Sequence, residues 1–161
     1  MENYTMAGRT YRYYGPEAPL YPFGYGLSYT TFTYRDLVLS PIALPTCANL
    51  SVSVVVENTG QRDGEEVVQL YLRWEQPSVP VPHWQLVAFH RVMLPAGRVA
   101  KVAFAVMAKQ RAVWGPPWCL EPGAFTLFAG GQQPGQERQA SSPVLSARFS
   151  VVGAARPLSS C

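Results

Sequence analysis

Hydrophobic and polar positions alternate with a period of two through most of this chain. Phe32 and Tyr34, then Leu37 and Leu39, sit around Arg35-Asp36 and predict a first strand that ends at Ser40-Pro41. The pattern is cleaner over residues 49–57, where Leu50, Val52, Val54 and Val56 face one way and Ser51 and Ser53 the other. β-branched residues at that spacing favour a strand with one buried face. Residues 65–74 resume the alternation, with Val68, Leu70 and Leu72 on one face and Val67, Gln69, Tyr71 and Arg73 on the other. Asn58-Thr59-Gly60 and Asp63-Gly64 supply turn chemistry between these two runs, which are expected to pair as a hairpin. Residues 86–94, 99–107, 124–129 and 144–152 predict four more strands. In residues 99–107, Val102, Phe104 and Val106 point inward while Lys101 and Ala103 point outward.

Seven strands without an amphipathic helix predict an all-β fold, an antiparallel immunoglobulin-like or fibronectin type III-like β-sandwich. Residues 76–82 hold three prolines and cannot form a central strand; an extended loop covering a sheet edge is expected. Residues 114–122 read as a proline-rich crossover, residues 130–143 as a polar, mobile loop, and residues 153–161 as a disordered tail. At the other end, R-T-Y-R-Y-Y (residues 9–14) suits a short half-exposed strand, followed by a turn at G-P-E-A-P (residues 15–19).

Residues 21–30, Y-P-F-G-Y-G-L-S-Y-T, break the alternation. Pro22 fixes φ and lacks a donor, whereas Gly24 and Gly26 open conformations closed to other residues. Tyr21, Phe23, Tyr25 and Tyr29, with Leu27, offer large apolar faces. Such a bent aromatic run fastens one packed layer onto another, or closes the domain that carries it. It is read as a docking segment, not a catalytic site.

This run also carries a family resemblance. P-L-Y-P-F-G-Y-G-L-S-Y-T-T-F (residues 19–32), preceded by G-R-T-Y-R-Y-Y (residues 8–14), resembles a junction in family 3 glycoside hydrolases, the β-glucosidases and β-xylosidases. Further matches follow in order: E-N-T-G-x-x-D-G-x-E-V-V-Q-L-Y (57–71), S-x-P-x-P (78–82), L-x-x-F-x-R-V-x-L-x-x-G (86–97) and E-P-G-x-F (121–125). The resemblance covers nearly the whole chain, from about residue 8 to 152. It implies a junction from an α/β sandwich domain over residues 1–30 and a C-terminal fibronectin type III-like domain over residues 31–152. It also implies that the nucleophilic Asp and the acid/base of the parent enzyme lie upstream of Met1, which then reads as the start of a fragment, a truncated gene model or a shortened isoform. The expected partners are the catalytic domains of the parent hydrolase, and the expected location of that parent is secreted or extracellular.

The residues themselves offer little chemistry. Glycoside hydrolysis needs two carboxyl groups flanking the scissile bond. The one tight acidic cluster, Asp63, Glu65 and Glu66, is placed on an exposed hairpin turn with ordinary acidity. No G-x-S-x-G elbow or glycine-rich phosphate loop occurs, and His83 and His90 are the only histidines. No catalytic residue, cofactor or metal site is therefore assigned. Trp74, Trp84 and Trp118 are the candidates for stacking on a glycan. The net charge of +3 is scattered instead of clustered, which argues against a nucleic-acid partner. No run of eighteen apolar residues predicts a membrane span, and residues 1–10 lack the apolar core of a signal peptide. Asn3 and Asn49 stand in glycosylation sequons. The three cysteines leave open a Cys47–Cys119 disulfide or buried thiols.

Overall fold

The computed structural model describes residues 5–15, 19–135 and 144–161. Asn3 and part of the loop expected to be mobile, residues 136–143, lie outside the described residues. Among the described residues, ten strands follow in chain order: β1 Phe32–Ser40, β2 Ala43–Pro45, β3 Leu50–Asn58, β4 Gly64–Trp74, β5 Gln85–Leu94, β6 Val99–Val106, β7 Cys119–Leu120, β8 Gly123–Gly130, β9 Leu145–Val152 and β10 Arg156–Pro157. They build a three-stranded sheet, β1-β3-β6, and a five-stranded sheet, β2-β9-β8-β4-β5, with a small β10-β7 pair. The seven expected strands are all present. The three additional strands are two or three residues long, too short to show a period.

The two main sheets close over one apolar core. Leu50, Val52, Val54 and Val56 of β3 meet Val68, Leu70 and Leu72 of β4, with Phe125, Leu127 and Phe149 filling the centre. Removing these side chains from water, at roughly 25 cal/mol per Å², is what holds the sheets together. In β1, a bulge falls between Arg35 and Val38, and Asp36 adopts φ 55°. Aspartate tolerates that conformation better than most residues. The bulge explains why Leu37 and Leu39 are out of step with Phe32 and Tyr34 in the sequence.

The expected hairpin between β3 and β4 does not form. β3 pairs with β1 and β6, whereas β4 pairs with β5 and β8 in the opposite sheet. The link between them is a corner that crosses from one layer to the other, and Asn58 holds it. Its fully buried side chain donates to Arg62 O at 2.8 Å and to Leu94 O at 2.9 Å. Its Oδ1 accepts from Thr30 Oγ1 at 2.6 Å and from Gly60 N at 3.1 Å. Turn residues encode a change of direction; they do not say whether the chain returns in the same sheet.

Both chain ends depart from expectation. Residues 10–13 form one helical turn, α1 Thr10–Tyr13, instead of a strand, because no neighbouring strand supplies ladder bonds there. Two 3₁₀ turns, Ala108–Arg111 and Leu158–Ser160, are also present. The C-terminal residues expected to be disordered are tied back. Arg156 and Pro157 pair with Leu120 and Cys119, Leu158 N donates to Trp118 O at 2.8 Å, and Cys161 forms a disulfide with Cys47. The Cys47–Cys119 pairing is therefore not made: Cys119 is a free, half-buried thiol.

Two outcomes are expected. Denatured without reductant, the protein should titrate with one free thiol per chain, rising to three after reduction. Asn58→Ala leaves two carbonyls and a hydroxyl without their buried partner, and should lower unfolding free energy by about 3 kcal/mol in chemical denaturation.

Candidate functional site

The outer face of the five-stranded sheet carries the aromatic collar, residues 20–29. Its seat is Gln69 on β4. Gln69 Nε2 donates to Gly24 O at 3.0 Å and to Gly131 O at 2.8 Å, while its Oε1 accepts from Tyr71 Oη at 2.7 Å. Both amide donors are thus used, one on the collar and one on the loop after β8. Gln133 N adds a bond to Phe23 O at 2.9 Å. Tyr11 of α1 stacks on Phe23 with ring centroids 4.0 Å apart and meets Tyr71 edge-on. Gly24 has φ +79°, and a Cβ there would lie 2.0 Å from Gln69 Oε1. Only glycine lets the backbone come this close in this conformation.

Gln69 and Tyr71 lie on the face of β4 opposite Val68, Leu70 and Leu72, and they are buried as well. The clue available in the sequence is that residues 67–72 carry no charge on either face, as strands covered on both sides tend to do. Burial raises the Tyr71 hydroxyl pKa above its ordinary value, with a further contribution from Tyr11.

The collar residues split into seat and surface. Pro22 is buried and Tyr25 half-buried, stacked on Tyr21 at 5.6 Å. Leu27 and Tyr29 are 88% and 91% exposed, and Leu20, Tyr21 and Phe23 are exposed as well. Of the five docking candidates, Tyr21 and Tyr25 meet each other and Phe23 meets Tyr11, while Leu27 and Tyr29 are exposed.

The three tryptophans are less alike than their sequence positions imply. Trp84 is half-buried, edge-on to Phe128, with the Arg73 guanidinium 5.6 Å over its ring. Trp74 stacks on Phe125 at 5.3 Å. Trp118 is half-exposed and meets Trp114 edge-on at 5.2 Å. Two clefts flank the proline loop at residues 79–82 and share Trp74 between them. One of about 980 Å³ adds Trp84, Tyr14, Arg73 and Glu75. The other, of about 590 Å³, adds Trp118, Trp114 and Arg111. Asn49 is exposed, and its side-chain oxygen accepts from Ala108 N at 3.0 Å; a glycan would attach to its nitrogen.

The acidic cluster is also divided. Asp63 and Glu65 are exposed, but Glu66 turns inward and accepts from Tyr34 Oη at 2.5 Å. Burial raises the Glu66 carboxyl above the usual range, and the Tyr34 bond offsets part of that. The Tyr34 hydroxyl is raised too, by burial first and by the Glu66 charge second. Among the described residues, the hydrogen-bond partner of the Glu66 carboxyl is Tyr34, and no second carboxyl contributes to its shift. Among the described residues, no group of three or more His, Cys, Asp or Glu could hold a metal ion. No helix among them is long and apolar enough to cross a membrane.

Glu66 keeps its proton in the folded state at pH values where the unfolded chain has lost it. Stability should therefore fall as pH rises from the ordinary glutamate value through the raised folded value, then level off. Glu66→Gln should abolish that decline and leave the protein more stable than wild type at neutral pH, as read from urea midpoints across pH. Gly24→Ala should unseat the collar, so that exchange of the Gln133 amide hydrogen accelerates about tenfold or more while β3 amides are unaffected.

Residues 66–133 match the family model described as the fibronectin type III-like domain. The periplasmic β-glucosidase of Salmonella typhimurium is 40% identical over 124 residues, covering 75% of this chain and 16% of that protein. The xylan 1,4-β-xylosidase of Xylanibacter ruminicola is 38% identical over 133 residues, covering 80% of this chain and 15% of that one. Among solved structures, β-glucosidase 3B from Thermotoga neapolitana in complex with glucose superposes with TM-score 0.77 at 34% identity, covering 91% of this chain and 19% of that chain. The chain thus spans about a sixth of the length of the curated relatives it matches. The family-model match, the relatives and the solved structures agree: the chain carries a fibronectin type III-like domain of the kind that forms part of family 3 glycoside hydrolases.

Proposed function

We propose that this chain serves as the accessory domain of a β-glucosidase- or β-xylosidase-like glycoside hydrolase, docking on its catalytic domains and stabilising them. Residues 1–30 act as the junction from an α/β domain, and residues 31–152 as the rigid body that presents it. One observation carries the reading: the collar is clamped to the sheet through Gln69 and Gly24, yet turns Leu27 and Tyr29 almost wholly outward. An apolar surface held in fixed shape is suited to a protein partner, because its ordering cost is already met within the domain. The chain itself supplies no hydrolytic step, and the partner is the polypeptide that bears the reacting carboxyls. A second reading, a free-standing glycan- or protein-binding module, draws support from the two aromatic clefts around Trp74.

Two measurements test the proposal. The pure chain should fold and show no turnover of an aryl β-glucoside or β-xyloside. When it replaces the matched segment of the Salmonella β-glucosidase, the hybrid should be active. Leu27→Asp and Tyr29→Asp should then each destabilise the hybrid by roughly 2 kcal/mol, the size of an interface hot spot, and leave the isolated chain unchanged. Equal stability of hybrid and variants would refute docking through the collar.

A further inference from the structure

The smaller cleft, between α1, the proline loop and the 3₁₀ turn Ala108–Arg111, has an unusual charge balance. Arg12, Lys109 and Arg111 line it, and among the described residues no aspartate or glutamate does. Elsewhere Arg35, Arg73 and Arg91 each pair with a carboxylate. None of the three cleft cations makes such a pair with a described residue. Arg111 is the sharpest case, since it is only 5% exposed. Its Nη2 donates to Thr46 O at 2.9 Å and to Ala48 O at 2.8 Å, which fastens the loop before β3. Its Nη1 has no hydrogen-bond partner. A buried guanidinium with a spare donor and no counter-charge is costly, and burial pulls its pKa below the ordinary arginine value.

The walls are aromatic. Trp114 and Trp118, 60% and 49% exposed, line the cleft with ring surface still open, and Trp74 lines it as well. Such surfaces take the apolar face of a ring, while the cations demand an anion. We propose that this cleft binds a ring-shaped monocarboxylate, its carboxylate held among Arg111, Lys109 and Arg12 and its ring against the tryptophans. The same chemistry is offered by a uronic acid and by an aryl carboxylate. Pairing the desolvated guanidinium with a carboxylate gives Arg111 Nη1 the acceptor it lacks. This site is separate from the collar, so it stands or falls independently of docking.

The test is titration of the 161-residue chain with glucuronate, benzoate and glucose, followed by tryptophan fluorescence and calorimetry. At least one carboxylate should bind roughly tenfold or more tightly than glucose, weakening as salt rises. Preference between glucuronate and benzoate identifies the source of the ring. Arg12→Gln combined with Lys109→Gln, both exposed positions, should weaken that binding about tenfold with an unchanged melting temperature. Arg111→Lys, which keeps the charge but loses the fork, should weaken it as well. No binding of either carboxylate up to about 10 mM, or binding equal to that of glucose, overturns the proposal. So does carboxylate binding that survives the double substitution.

Discussion

The side-chain amide of Gln69 is the contact on which the outer surface of this domain depends. It sits in the middle of a sheet face that a lone sandwich would show to water. One donor reaches the collar backbone, the other reaches the loop after β8, and the oxygen is held by Tyr71. Removing any of these would strand a polar group beneath the aromatic layer of Tyr11 and Phe23, which costs more than the bond itself contributes. The collar is therefore shaped by hydrogen bonds below and by stacking above. What remains outside, Leu27 and Tyr29 above all, is a surface with no further role inside the domain.

A second polar knot fixes the body beneath. Asn58 stands where the chain leaves the three-stranded sheet for the five-stranded one, and it also receives Thr30 at the end of the collar. Corner and collar are consequently one mechanical unit: the segment from residue 24 to residue 30 is anchored at both ends to groups in the core. Hydrophobic burial between β3 and β4 brings the sheets together without specifying their order, because it is not directional. The buried amides of Asn58 and Gln69 add that direction.

The opposite corner works differently. The loop around Cys47 is held by the disulfide to Cys161 and by Arg111, whose two carbonyl contacts flank that cysteine. Cys119 and Trp118 pair with the residues just before Cys161, so the C-terminus closes over the proline-rich crossover. Leu44 and Ala48, on either side of this loop, belong to the apolar core or pack against it, and the disulfide and the guanidinium fasten the residues between them.

The sequence by itself determined the seven long strands, their inward faces and the family motifs, because alternation over eight or more residues is a local property. It also marked the collar, since prolines, glycines and tyrosines in that mixture suit neither strand nor helix. Three things were decided only in the folded molecule. Whether β3 and β4 share a sheet depends on which neighbours compete for β3, and β1 and β6 win that contest. Whether Gln69 and Tyr71 face water depends on a segment some forty-five residues earlier folding back over them. Which cysteine meets Cys47 depends on the C-terminal residues finding β7, a contact between partners too short to carry any period. Local patterns fix which face is apolar, whereas only long-range contacts fix what covers it.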